Sequence, residues 1–193
     1  MNAPAIPAPR QQNIVPSGVL AMVIVIACET MFFAALISSF LVLRAQNPDW
    51  PPMGQPRLPV RITGVNTMIL LFSGYTMQRA LWAVADRRQL ARWLALSGAL
   101  GTTFLAIQGY EWVRLIGFGL TTSSSLYGAT FYALVGAHGF HVLVGLVALL
   151  VIMLRGIRGH YYAEYHTELT ACYLYWLFVV AVWPVLYVLV YLQ

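Results

Sequence analysis

The chain has 193 residues, of which 60% are hydrophobic and only 9% charged. Soluble domains carry about 25% charged residues, so this composition excludes a soluble enzyme or binding domain with a water-facing surface. The formal charge is +5, but the arginines that carry it lie at the ends of apolar runs, which is typical of topology signals and not of nucleic-acid binding.

Several apolar runs reach or exceed the roughly 18 residues that a transmembrane helix requires. The alternating segments of about ten residues that mark a membrane β-barrel are absent. We therefore predict an all-α, polytopic membrane protein that forms one domain over residues 1–193. Residues 1–16 are polar and proline-rich, which predicts a disordered or irregular tail. The predicted spans, in chain order, are about 17–43, 64–84, 91–114, 125–154 and 169–192.

The connectors between the spans differ in character. The first, AQNPDWPPMGQPRLPVR, contains too many prolines for a regular helix, which predicts a rigid loop outside the membrane. The second, ADRRQLAR, predicts a tight turn, and residues 121–125 offer N-cap side chains for the fourth span. Small residues recur at helical spacing, as at Gly98 and Gly101, which predicts close packing between helices.

The arginine distribution predicts the orientation of the chain. With five spans, the tail shares one side of the membrane with the second and fourth connectors. That side holds Arg10, Arg87, Arg88, Arg92, Arg155 and Arg158. The opposite side holds Arg44, Arg57, Arg61 and Arg114. This excess favours a cytoplasmic N-terminus and a periplasmic C-terminus in a bacterial inner membrane.

Glu29 is the most informative polar residue because it lies inside the first predicted span. It is about twelve residues into that span, hence roughly 18 Å along the helix and near mid-depth. An isolated carboxylate there is costly, so Glu29 must be protonated, paired or open to a water-filled crevice. Two interpretations stay open, a proton-handling carboxylate that reacts with carbodiimides and a hydrogen-bonded acid between helices.

His138 and His141 are three residues apart and therefore share one face of the fourth span. Two such histidines could bind a metal, but the other two histidines lie in the following connector and no other span carries one. We therefore favour hydrogen bonds across the bundle, to Glu29 or Glu111. Glu111 and Gln108, near the end of the third span, complete a predicted buried polar network.

Motifs of familiar enzymes are lacking. The sequence has no P-loop, no GxGxxG and no nucleophile triad, and Cys28 and Cys172 form no CxxC pair. These features predict a helical membrane subunit with one deep acid and no catalytic residues of its own. A small autonomous proton-coupled transporter with Glu29 as carrier is the alternative, although no internal repeat supports it.

Five segments carry specific motifs. They are ACETMFFAALISSFLVLRAQNPDWPP, VNTMILLFSGYTMQRA, IQGYEW, LYGATFYALVGAHGFHVLVG and YWLFVVAVWPVLYVLVY. In this order they resemble the cytochrome c oxidase subunit III family, from its third helix and WPP loop to its last helix. The resemblance runs from about Ile14 to Leu192. It places the family's carbodiimide-reactive glutamate at Glu29, its second glutamate at Glu111 and its two histidines at His138 and His141.

The resemblance implies five transmembrane helices, without the first two of the larger family form, and a V-shaped cleft that binds phospholipid. It implies an accessory subunit without cofactors, which stabilises the catalytic subunit I and supports proton uptake during the reduction of oxygen to water. Haem and copper would belong to subunit I, in a hetero-oligomeric complex that also contains subunit II. Candidates for lipid phosphates are the arginines near span ends, Arg44, Arg79 and Arg155.

One departure from the family concerns the last helix. Many members read YWHFVDVVW where this chain reads YWLFVVAVW, so Leu177 and Val180 replace a histidine and an aspartate. Any role of that polar pair is therefore not carried over. Within the family, a quinol oxidase subunit III and an accessory subunit of a nitric oxide reductase stay open, because other subunits determine the electron donor.

Overall fold

The computed structural model describes residues 16–157 and 167–192, and all regular structure in these two ranges is helical. The helices are α1 (Ser17–Ala45), α2 (Val60–Trp82), α3 (Arg87–Gly117), α4 (Leu126–Ile157) and α5 (Thr167–Leu186), which a π-helical turn (Tyr187–Tyr191) continues. The predicted all-α fold class is thereby confirmed for the described residues. Residues 1–15, with Arg10, and the connector residues Arg158, His160, Glu164 and His166 lie outside them.

Four of the helices are long and apolar enough to cross a membrane, namely α1, α3, α4 and α5 with its π-helical turn. The exception is α2, which has 23 residues but contains no stretch of 18 that is apolar enough. Its inward face carries five buried polar side chains, Thr63, Asn66, Thr67, Ser73 and Thr76. The second predicted span, which α2 would form, therefore stays a prediction.

The buried polar residues of α2 bind the neighbouring helices. The Ser97 hydroxyl of α3 donates a hydrogen bond to the Ser73 carbonyl at 2.9 Å. From α5, the Trp183 indole N–H donates to Thr67 Oγ1, also at 2.9 Å. Buried polar groups require such partners, and here α2 supplies them to both of its neighbours.

Helices α2 to α5 form a closed ring, and α1 lies outside it. Contacts run from α2 to α3, from α3 to α4, from α4 to α5 and from α5 back to α2. Helix α1 packs against α5 and α4, and its fully buried residues are Phe33 and Phe40. The rest of the α1 surface is largely open, which places its polar residue Glu29 at the periphery of the bundle.

The ring packs around aromatic side chains of α5. Trp176 and Trp183 are completely buried. A Cβ atom at Gly101 or Gly145 would lie 2.6 or 2.7 Å from the Trp176 ring, so these two glycines make room for it. Close packing was predicted from Gly98 and Gly101, but a Cβ at Gly98 would meet no atom within 4 Å. Only one of the two glycines therefore contributes to the internal packing.

The opposite end of the bundle from the α2–α3 turn is closed by the proline-rich loop. Its residue Trp50 packs edge-on against Phe40 of α1 and Tyr127 of α4, with ring centroids 5.8 and 5.3 Å apart. Ser125 Oγ accepts the backbone N–H of Gly128 at 3.1 Å, which confirms the N-cap predicted in residues 121–125. The loops thus hold α1 and α4 in register at this end.

Candidate functional site: a glutamate–histidine pair

Glu29 of α1 and His141 of α4 meet at the edge of the bundle, and we call them the glutamate–histidine pair. Glu29 Oε2 lies 2.9 Å from His141 Nε2. The other ring nitrogen, Nδ1, lies 2.7 Å from the carbonyl oxygen of Ala137, one turn earlier. A carbonyl oxygen can only accept a hydrogen bond, so Nδ1 carries a hydrogen and donates it.

This geometry leaves one proton between the two side chains. Either the Glu29 carboxyl donates to a neutral imidazole, or an imidazolium donates to the carboxylate. Both arrangements are neutral overall, which avoids the cost of an isolated ion in an apolar environment. The Glu29 side chain is 30% exposed and that of His141 only 10%. Proton exchange with the surroundings would therefore pass through Glu29.

Apolar and aromatic side chains surround the pair. It opens into a groove on the outer side of α1 and α4, lined also by Cys28, Phe32 and Phe140. The Phe33 ring contacts the imidazole from the core side, with centroids 5.0 Å apart. These side chains hold the imidazole in place but carry no charge. The acid and the imidazole are therefore each other's partners for a shared proton.

His138 lies one turn before His141 and has different surroundings. It is 1% exposed, and its ring lies 4.8 Å from that of Trp183 and 6.0 Å from that of Phe104. Neither ring nitrogen has a hydrogen-bond partner among the described residues. The structure therefore gives His138 no part in the hydrogen bonding that we expected of both histidines, and the ring packs as an aromatic side chain.

Gln108 and Glu111 are both buried on α3 but bind other partners than the pair. Gln108 Nε2 donates to the hydroxyl of Tyr191 at 2.9 Å. Glu111 Oε1 lies 3.6 Å from the Arg114 guanidinium, which is about half exposed. Of the predicted network residues, His141, Gln108 and Glu111 therefore make three separate polar contacts, one at the edge of α1 and two near the end of α3, and His138 makes none among the described residues.

A family model described as cytochrome c oxidase subunit III matches residues 10–193. The chain belongs to this family. Cytochrome c oxidase subunit 3 of Synechocystis sp. is 39% identical over 174 residues, which are 89% of this chain and 73% of that protein. Its counterpart in Thermostichus vulcanus is 33% identical over 177 residues, 90% and 86% of the two chains. A probable cytochrome c oxidase subunit 3 of Nocardia farcinica is 35% identical over 186 residues, 94% and 89% of the two chains.

Membership of the subunit III family makes the chain a membrane-bound subunit of a haem–copper oxidase of the respiratory chain. Within the described residues, no group of three or more His, Cys, Asp or Glu side chains is arranged to hold a metal ion. Cys28 is exposed, Cys172 is buried, and both are free thiols.

The three arginines predicted to meet lipid phosphates differ in their contacts. Arg155 Nη1 lies 2.6 Å from the carboxylate of Glu168 at the start of α5. Arg44 lies in the last turn of α1, and Arg79 in the last turn of α2. Arg79 stacks on Trp82 and also on a tryptophan of α3, a contact between helices that sequence spacing alone does not reveal.

Proposed function

We propose that this chain is the accessory, cofactor-free subunit of a haem–copper terminal oxidase. It stabilises the catalytic subunit I, beside subunit II, and supports proton uptake during the reduction of oxygen to water. The haem and copper of the complex belong to the catalytic subunit. Family membership supports this role, and so does a surface that is largely apolar along all five helices.

The glutamate–histidine pair carries the proton-handling part of the proposal. A single proton shared at 2.9 Å, with the acid partly exposed, is an arrangement that can release and regain a proton through Glu29. Because the pair opens onto the outer face of α1 and α4, we propose that this face is directed towards the proton-uptake region of the complex.

Phospholipid binding is the second part of the proposal. Helix α1 contacts α4 and α5 from outside the ring, and apolar grooves lie along these contacts. One of them is lined by Met22, Val151, Ile152 and Cys172. We propose that acyl chains lie in this groove, which corresponds to the lipid cleft of the family, and that Arg44, Arg79 and Arg155 meet headgroup phosphates.

A pull-down of the tagged chain in mild detergent, followed by an absorption spectrum, tests the assignment to an oxidase complex. We expect haem bands carried by larger co-purifying subunits. A colourless, monodisperse eluate of this chain alone would contradict the proposal and favour an autonomous proton-coupled transporter. Oxidation of quinol in place of cytochrome c, or reduction of nitric oxide, would keep the accessory role but change the complex.

A further inference from the structure

We propose that Arg79, Trp82 and Trp93 form a binding site for the phosphate of an anionic phospholipid, here called the Arg79 site. The Arg79 guanidinium carbon lies 5.6 Å from the centre of the Trp82 ring and 5.5 Å from that of Trp93. One cation thus joins the last turn of α2 to the beginning of α3. The proposal deepens the phospholipid binding proposed above and rests on it.

The guanidinium of Arg79 keeps its hydrogen-bond donors for a ligand. Cation–π stacking uses the flat faces of the guanidinium, whereas its N–H groups point outwards in the plane. Among the residues that the structure describes, no carboxylate or carbonyl accepts a hydrogen bond from Arg79. The residue is half-buried, so these donors are accessible to a ligand, and a phosphate matches their forked geometry.

The start of α3 adds positive charge beside this site. Three exposed arginines, Arg87, Arg88 and Arg92, lie in the first six residues of the helix. The acid of this turn, Asp86, already accepts from the backbone N–H groups of Arg88 and Gln89 and from the Gln89 side chain. Cations at a helix N-terminus oppose the helix dipole, so a bound anion would relieve this repulsion.

The outer surface of α2 fits the apolar part of a lipid. Val65, Met68, Phe72 and Tyr75 are 50 to 65% exposed and share one stripe of the helix with Arg79. Trp82, 66% exposed, continues the stripe beyond Arg79, where tryptophan is typical of headgroup depth. A cation at the end of a long apolar stripe matches an amphiphile, whereas an acidic protein surface or free phosphate would leave the stripe uncovered.

Native mass spectrometry of the purified oxidase complex, titrated with phosphatidylglycerol or phosphatidylcholine, tests the Arg79 site. We expect Arg79→Gln to weaken phosphatidylglycerol binding roughly tenfold and to leave phosphatidylcholine binding unchanged. Arg79→Lys keeps the charge but loses the planar stacking, so its affinity should be intermediate. The matched control is Arg61→Gln, which removes an exposed arginine at the other end of α2 and should change the affinity less than about twofold.

The same spectra report subunit content, which separates failure of this site from failure of the proposed function. An intact Arg79→Gln complex that still prefers phosphatidylglycerol would overturn the site. Displacement of the lipid by an equal concentration of inorganic phosphate would overturn its assignment to a lipid. Loss of a protein subunit with unchanged lipid binding would assign Arg79 to a protein contact instead. If Arg79→Gln does not assemble, Trp82→Leu, at an exposed position, should lower phosphatidylglycerol binding several-fold, and an unchanged affinity would count against the site.

Discussion

His138 and His141 lie three residues apart on α4, yet one ring is in the core and the other at a groove. Three residues turn a helix by roughly 300°, so the second side chain is offset by about 60° from the first. That offset places His141 at the boundary with α1, where both ring nitrogens form hydrogen bonds, one with Glu29 and one with the Ala137 carbonyl. His138 points instead towards Trp183 and Phe104.

Glu29→Gln should preserve the complex and abolish chemical labelling at this position. The glutamine amide can donate to His141 Nε2 as a protonated carboxyl does, so we expect a complex yield within about twofold of the wild type. In the wild type, a hydrophobic carbodiimide should label Glu29 above the exposed Glu168, as measured by peptide mass spectrometry. Preferential labelling of Glu168, or loss of the whole complex in the variant, would contradict this prediction.

Replacing either histidine by phenylalanine should separate their roles. His138→Phe removes two unpartnered nitrogens from an aromatic environment. The free energy of unfolding of this variant should therefore differ from that of the wild type by less than about 1.5 kcal/mol. His141→Phe leaves the Glu29 carboxyl without its partner and should cost about 1–3 kcal/mol. Thermal unfolding of the two purified variants measures the difference, and a larger loss for His138→Phe would reverse the assignment.

Helix packing around Trp176 gives a prediction with a matched control on the same helix. A Cβ at Gly101 would meet the Trp176 ring at 2.6 Å, so Gly101→Ala should destabilise the bundle by about 1–3 kcal/mol. Gly98→Ala, one turn earlier, adds a methyl group in open space and should be neutral or slightly stabilising. Equal thermal stability of the two variants would show that the ring does not pack as described.

The N-cap of α3 should be sensitive to acid. Hydrogen bonds from the backbone N–H and the side chain of Gln89 lower the pKa of Asp86 below its ordinary value of 3.8. A lowered folded-state pKa means that the stabilisation is complete above the ordinary pKa and is lost as the pH falls through the folded-state pKa. Hydrogen exchange at Arg88 and Gln89 should therefore accelerate at acid pH relative to the other α3 amides. In Asp86→Asn this pH dependence should disappear, and its persistence would exclude the carboxylate as its cause.

The positions of the helices could largely be predicted from the apolar runs, whereas the contacts between the helices could not. Helix α2 begins at Val60, before its predicted span, because the proline-rich loop ends at Pro59 and a proline directly before the first turn does not obstruct a helix. Glu29 and both histidines could be selected because polar residues stand out in apolar spans. The sequence could not show which histidine faces α1, since that depends on how α4 is rotated in the bundle. The stacking of Arg79 on Trp93 likewise requires the angle between α2 and α3.

At the scale of the whole molecule, the number of transmembrane spans determines on which side of the membrane the C-terminus lies. We predict that α2 crosses the membrane because its polar side chains point inwards and its outer face is apolar. The two termini must then lie on opposite sides. Reporter fusions at each terminus and in the proline-rich loop measure this, with the loop and the C-terminus expected on the periplasmic side. Termini on the same side would mean that α2 does not span.

The position of α1 outside the ring bears on the order in which the protein is made. Helix α1 leaves the ribosome before α4 and α5, the helices against which it packs. His141 follows Glu29 by 112 residues, so the acid enters the bilayer long before its partner exists. During that interval the acid has no partner on α4, and an unpaired acidic side chain near the centre of the bilayer costs about 3 kcal/mol. The long apolar surface of α1 thus keeps the helix inserted until the ring is complete and the imidazole arrives.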